Sequence, residues 1–106
     1  MAWIYLVLAG LLEIGWPLGL KIAESPDTRV KGVATAVIFM AASGFFLWLA
    51  QREIPMGTAY AIWTGIGTVG TLIIGVVVMG EPAGLMRMGS AALIVAGIAG
   101  LKWAHG

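Results

Sequence analysis

Glu13 is the residue whose type and position most clearly suggest chemistry. It interrupts a run that is otherwise apolar from residue 2 to residue 20, and about 19 helical residues span roughly 28 Å, close to the hydrocarbon thickness of a bilayer. A central acidic side chain costs roughly 2.5–3.5 kcal/mol on insertion scales. Glu13 is expected to be the only buried acid, because the remaining acids fall in predicted loops: Glu24, Asp27, Glu53 and Glu81. An ionisable residue inside a span indicates a functional site by default. The alternative is a structural carboxylate bonded to neighbouring helices, but no basic residue inside a predicted helix offers it a partner.

Three neighbours of Glu13 would share its surroundings on a helix. Gly10 precedes it by three residues and Trp16 follows it by three, so both lie on the face of the carboxylate. Gly10 would allow close backbone approach, and Trp16 offers an indole N–H donor and an aromatic wall. Pro17 lacks an N–H, which frees the Glu13 carbonyl, and its ring can kink the helix. Helix packing alone is the alternative for Trp16 and Pro17.

Composition places the chain in one class and excludes several others. It has 106 residues, of which 60% are hydrophobic and 10% charged, which is too apolar for a small soluble domain. A net charge of +1 gives no indication of nucleic-acid binding, and cysteine is absent. No His, Cys or carboxylate cluster has metal-ligand spacing, and no nucleophile–base pair suggests an enzyme. We therefore expect an integral membrane protein without cofactors.

Polar breaks divide the sequence into four hydrophobic runs. They predict one all-α domain, residues 1–106, with transmembrane helices at about 2–20, 32–50, 56–79 and 85–103. Helices are favoured over strands because a barrel strand needs only about ten residues of alternating pattern.

The distribution of basic residues says little about orientation. With four spans, Arg52 and Lys102 lie on one side of the membrane, and four basic residues lie on the other: Lys21, Arg29, Lys31 and Arg87. So small a difference is a weak positive-inside signal. It permits insertion in both orientations.

The third span carries a polar and aromatic stripe at helical spacing, formed by Tyr60, Trp63, Thr64, Gly67 and Thr71. The hydroxyls favour a face that lines a cavity over one that meets lipid or core. Residues 65–70 also match G-x-G-x-x-G, but a dinucleotide site requires a preceding strand, so we reject that interpretation. Gly65 and Gly67 are instead expected to loosen the helix or to permit close packing.

Two further features lie on the second and fourth spans. Ser43 interrupts an apolar run, where a lone serine commonly bonds the carbonyl four residues earlier in its own helix; a role in the site is the alternative. On the fourth span, small residues form a ridge that predicts helix association and dimerisation: Ala92, Ala96, Gly97 and Gly100.

These residues together resemble the small multidrug resistance family of proton-coupled exporters. The resemblance covers nearly the whole chain and includes Glu13, the P-x-G-x-A-Y-A-x-W pattern of residues 55–63 and the G-x-G of residues 65–67. Within the family the chain is similar to the guanidinium exporter subtype, on the patterns W-x-x-G-L-K at 16–21, W-T-G-I-G at 63–67 and G-I-x-G-L-K at 97–102. Pro17 departs from the family pattern, which usually has a small or aliphatic residue there.

The resemblance implies an architecture and a set of site residues. It implies an antiparallel, dual-topology homodimer in the inner (plasma) membrane, with Glu13 of each copy at the centre as a shared proton and cation site. Trp16, Ser43, Tyr60 and Trp63 would be its hydrogen-bonded surround. The protein would export guanidinium-like cations in exchange for protons by alternating access.

The chemistry of a buried carboxylate fits this expectation. Such a site holds a proton or a cation, but not both, and guanidinium suits it because its planar N–H fork matches a carboxylate and stacks on aromatic rings. Two other functions stay open. One is proton-coupled export of quaternary ammonium or other lipophilic cations. The other is a structural or regulatory membrane subunit whose Glu13 pairs with a partner protein.

Overall fold

Long apolar helices account for almost all of the structure, a computed structural model that describes residues 1–105, with the backbone alone for the last of these. The helices are α1 (Ala2–Glu13), α2 (Gly15–Ile22), α3 (Arg29–Gln51), α4 (Met56–Val77) and α5 (Leu85–His105), and a 3₁₀ turn covers Pro26–Thr28. Within the described residues, four helical stretches are long and apolar enough to cross a membrane: Ala2–Ile22, Pro26–Gln51, Met56–Val77 and Leu85–Ala104. The expectation of an all-α chain with four candidate spans is confirmed.

The first span is divided beside Glu13. Ile14 separates α1 from α2, and its N–H bonds the carbonyl of Leu11 at 3.3 Å, three residues back instead of four. Pro17 contributes to the interruption because it has no N–H for the Glu13 carbonyl. The carboxylate thus stands on the last residue of α1, at an irregular turn within the membrane span.

The observed ends of two spans differ from the expected ones. α3 begins at Arg29, ahead of residue 32, because the preceding turn is tied back to α2. The hydroxyl of Thr28 donates to the Ile22 carbonyl at 2.7 Å. α4 ends at Val77 instead of 79, since the chain turns through Gly80 at a φ of +72°, a conformation that glycine adopts without strain.

The helices pack around α1 and α2. α3 lies along both, α4 lies against α1, and α5 packs on α4. The buried core joins α1 to the α3–α4 turn and consists of Ala2, Leu6, Ala50, Ile54, Ala59 and Ile62. α2 and α3 approach backbone to backbone, because a Cβ on Gly19 would lie 2.6 Å from the Ala36 nitrogen.

Large apolar side chains remain exposed on every span, among them Ile4, Val37, Ile73 and Leu93. A soluble protein of this size would not leave so much apolar surface in water, whereas lipid covers it without cost. On α5 the small residues expected to form a ridge, Ala92, Ala96, Gly97 and Gly100, are exposed.

Candidate functional site

Glu13 opens onto a cavity between the first span and α4, which we call the Glu13 groove. Its volume is about 300 Å³, and it is lined by Glu13, Trp16, Pro17, Thr64, Gly67, Thr68 and Thr71. Glu13 is half-buried in the single protomer, and the acids of the loops and turns are exposed. Among the described residues that line this groove, Glu13 is the one ionisable side chain. The wall around it is therefore a carboxylate, an indole and three threonine hydroxyls, without a counter-charge.

A glycine on α4 lets the Glu13 side chain lie against that helix. A Cβ on Gly67 would stand 2.6 Å from the Glu13 Cγ, far inside van der Waals contact. A Cβ on Gly10 would likewise stand 2.7 Å from the Ile66 Cβ, and one on Gly65 would stand 2.8 Å from the Ile98 Cδ1. Close packing at these three positions fixes the distance of α4 from α1 on one side and from α5 on the other.

A chain of hydrogen bonds runs behind the groove and joins three helices. The Ser43 hydroxyl, fully buried, donates to the Ala9 carbonyl at 2.6 Å, and the indole N–H of Trp63 donates to the Ser43 oxygen at 2.8 Å. The ring of Tyr60 meets that of Trp63 edge-on, with 5.2 Å between centroids. Ser43 therefore bonds across to α1 instead of bonding its own helix, and it does so one turn before Glu13.

The structure sorts the expected site residues into separate places. Glu13, Trp16, Pro17 and Gly67 meet in the groove. Ser43 and Trp63 form the chain of hydrogen bonds outside the groove lining, with Tyr60 packed edge-on against Trp63, and the α5 residues Ala92, Ala96, Gly97 and Gly100 lie on an exposed face of another helix.

The threonines of α4 are the groove residues that the expected site set lacks. Thr64 and Thr71 belong to the polar stripe, whereas Thr68 is an additional groove residue. Its hydroxyl donates to the Thr64 carbonyl at 2.7 Å, which makes the pair a continuous polar strip along the groove. The signal in the sequence was the spacing of four residues between Thr64 and Thr68, which places them on one helix face.

A second cavity continues from the groove towards one end of the helices. It shares Pro17 and Thr71 with the groove and is also lined by Lys21 and Glu81. Lys21 pairs with Glu24 at 3.3 Å, and Arg87 pairs with Glu81 at 3.2 Å. The two charged side chains that line this cavity are thus each in a local ion pair, whereas neither of these ion pairs includes Glu13. In the part of the chain that the structure describes, no group of three or more His, Cys, Asp or Glu is placed to hold a metal ion.

Comparison with known proteins places the chain in a family. The family model described as Small Multidrug Resistance protein matches residues 1–94. The chain belongs to the small multidrug resistance family. The resemblance inferred from its motifs is confirmed.

Curated relatives within the family cover almost the full length of the chain. A "Guanidinium exporter" of Yersinia pseudotuberculosis serotype I (strain IP32953) is 54% identical over 98% of this chain and 99% of its own length. Proteins of the same name from Proteus vulgaris and Escherichia coli (strain K12) are 50% and 48% identical, over 98% and 96% of this chain and 99% and 96% of their own lengths. Together with the four apolar spans, membership of the small multidrug resistance family makes this a multi-pass protein of the inner membrane.

Proposed function

We propose that this chain is a transporter, and not an enzyme, that exports guanidinium and small substituted guanidinium cations in exchange for protons. One observation carries the proposal: Glu13 is the only ionisable side chain on the wall of a groove within the described membrane spans, beside the Trp16 indole. The relatives named guanidinium exporter, 48–54% identical over nearly the whole chain, support the substrate class.

The composition of the groove matches a small planar cation with N–H groups. A guanidinium ion would place its N–H fork on the Glu13 carboxylate and its face towards the Trp16 ring, as carboxylates and aromatic rings commonly bind this group. The hydroxyls of Thr64 and Thr68 border the same space. A cavity of about 300 Å³ is at the lower end of the range for small-molecule sites.

Exchange follows from competition for one carboxylate. A proton and a cation each neutralise Glu13, and the low polarity of a membrane span opposes leaving the charge bare. Binding of one therefore releases the other. In this proposal Ser43, Tyr60 and Trp63 hold α1 and α4 in register behind the exchange site.

An antiparallel homodimer with dual topology would complete the transport cycle. The exposed small-residue ridge of α5 supports association with a second copy, and the weak basic asymmetry supports insertion in both orientations. Two copies related in this way would bring a second Glu13 to the site. By exchanging conformations, they would open the site to either side in turn, which is alternating access.

The test is guanidinium transport by purified protein in liposomes under an imposed proton gradient. Glu13→Gln keeps the size of the side chain but cannot exchange a proton, so we expect it to fold, dimerise and show no proton-coupled flux. Glu24→Gln is the matched control, since it makes the same change in an exposed ion pair outside the groove, and it should transport like the unaltered protein. Robust coupled transport by Glu13→Gln would contradict the proposal.

A cation panel in the same liposomes separates the competing functions. Guanidinium and guanylurea should be transported faster than tetrapropylammonium, which has no N–H to donate. Faster transport of tetrapropylammonium than of both guanidino compounds would favour the multidrug alternative. Absence of flux for every cation would favour the structural or regulatory subunit.

A further inference from the structure

We propose that the main-chain carbonyl oxygen of Glu13, deprived of its helical partner by Pro17, is a second hydrogen-bond acceptor for an N–H-bearing cation in the Glu13 groove. The inference rests on the proposed function, because it states how the same groove distinguishes cations that donate hydrogen bonds from cations that do not. It assigns recognition to a backbone atom of Glu13 in addition to its carboxylate.

Pro17 leaves this carbonyl without its usual donor. In an α-helix the carbonyl of residue 13 accepts from the N–H of residue 17, and proline has no N–H. The turn around it is not regular either, since Ile14 separates two helices and its N–H bonds Leu11 three residues back, at 3.3 Å.

The residue towards which this carbonyl points borders the groove. A helical carbonyl points along the axis towards the residue four positions later, and here that residue is Pro17. Pro17 lines the Glu13 groove together with Glu13 and Trp16, and it also lines the cavity that continues from it. The freed oxygen is therefore directed towards a residue that borders open space on two sides.

Two hydroxyl groups nearby donate to carbonyls other than that of Glu13. Thr68 donates to the Thr64 carbonyl at 2.7 Å, and Ser43 donates to the Ala9 carbonyl at 2.6 Å. An unpaired carbonyl within a membrane span is costly, and interrupted helices of transporters commonly use such carbonyls to hold cations. A cation with several N–H groups satisfies the oxygen when it binds.

Guanidinium can use both acceptors of Glu13 at once. Two of its N–H bonds form the fork on the carboxylate, and the N–H bonds on another edge of the planar ion remain free for the carbonyl. A quaternary ammonium ion has no N–H to donate to either acceptor. Pro17 would thus raise the selectivity of the groove for N–H-bearing cations without adding a charge.

Substitution of Pro17 tests the selectivity. Pro17→Ala supplies the missing N–H, so the Glu13 carbonyl is occupied by its own helix, and Pro17→Gly supplies it on a more flexible backbone. We expect both variants to bind guanidinium about three- to tenfold more weakly, the effect of one hydrogen bond, and to be inhibited by tetrapropylammonium as before. Pro26→Ala, in the exposed turn between α2 and α3, is the control and should change neither the affinity for guanidinium nor the inhibition by tetrapropylammonium. Equal losses of affinity for both cations would overturn the inference, since they would show a general effect on the groove.

The ¹³C chemical shift of the Glu13 carbonyl reports on hydrogen bonding to its oxygen in the unaltered protein. Labelling with carbonyl-¹³C glutamate and ¹⁵N isoleucine selects the Glu–Ile bonds, and the sequence has two, Glu13–Ile14 and Glu53–Ile54. Guanidinium should shift the Glu13 carbonyl signal, tetrapropylammonium should not, and the Glu53 signal is an internal reference. The guanidinium shift should shrink in Pro17→Ala.

The two experiments also separate this inference from the proposed function. If guanidinium is transported in a Glu13-dependent manner but leaves the Glu13 carbonyl signal unmoved, the inference is wrong and the transport function stands. If the unaltered protein neither binds nor transports guanidinium, the proposed function fails, and the inference fails with it.

Discussion

The hydroxyl of Ser43 donates a 2.6 Å hydrogen bond to the carbonyl oxygen of Ala9, which lies four residues before Glu13. In an α-helix that carbonyl is also the acceptor for the Glu13 N–H. α3 is therefore joined to the backbone that carries the carboxylate, and the Trp63 indole joins α4 to the same point. The position of Glu13 depends on three helices at once.

Removal of the Ser43 hydroxyl should lower both the stability of the protein and its affinity for guanidinium. Ser43→Ala leaves the Trp63 N–H without its acceptor, and we expect a loss of roughly 1 kcal/mol in stability and a several-fold weaker affinity for guanidinium. Ser90→Ala is the control, because Ser90 bonds the Met86 carbonyl of its own exposed helix at 2.8 Å. Thermal unfolding in detergent and guanidinium binding measure the two effects. Unchanged affinity in Ser43→Ala would show that the chain of bonds does not position Glu13.

A methyl group at Gly67 should displace the carboxylate. The Cβ of Gly67→Ala would stand 2.6 Å from the Glu13 Cγ, so either α4 or the Glu13 side chain must move, and we expect guanidinium transport to fall at least about tenfold, since small displacements in a site cost that much or more. Gly89→Ala makes the same change where a Cβ meets nothing within 4 Å. Transport rates of the two variants, normalised to inserted protein, check the expectation. Equal rates would remove Gly67 from the site.

Both orientations should be present in the membrane. The chain has no cysteine, so Ser25→Cys in the first loop and Glu53→Cys in the second give single labels in loops on opposite sides. Each should react in part with an impermeant thiol reagent added to intact cells, and completely after permeabilisation. If more than ~95% of the inserted protein had one orientation, as a strong positive-inside bias would produce, a parallel dimer or a missing partner protein would be indicated.

The exposed ridge of α5 should be the surface on which copies associate. Gly97→Leu places a large side chain on it, where a Cβ now meets nothing within 4 Å, and we expect loss of dimer with normal insertion. The same result is expected for Gly100→Leu. Val95→Leu also enlarges an exposed side chain of α5, but on another face of the helix, and should leave the dimer intact. Cross-linking in mild detergent distinguishes the variants, and full dimer recovery for both glycine variants would place the association surface elsewhere.

The sequence was most informative where local spacing alone decides the outcome. Apolar runs bounded by proline, glycine and charge predicted four spans, and offsets of three and four residues placed Trp16 and Pro17 beside Glu13, where both line the groove. It was less informative about contacts between helices. The helices are apolar on most faces, so periodicity does not show which face meets a neighbour, and the Ser43–Ala9 bond did not follow from it. The start of α3 at Arg29 depended on a turn closed by Thr28, an interaction between residues six apart that helical spacing does not describe.

The packing of α5 has a consequence for the order of assembly during synthesis. α5 is the last helix of the described chain to leave the ribosome, and it packs on α4, whereas the first three spans contact one another. If copies associate through its exposed ridge, a chain can meet its partner only after all four spans have been threaded. The orientation of each copy is then settled by the insertion machinery before pairing begins. Dimers of oppositely oriented copies therefore form by lateral diffusion of fully inserted chains, and their number depends on how many copies of each orientation the bilayer holds.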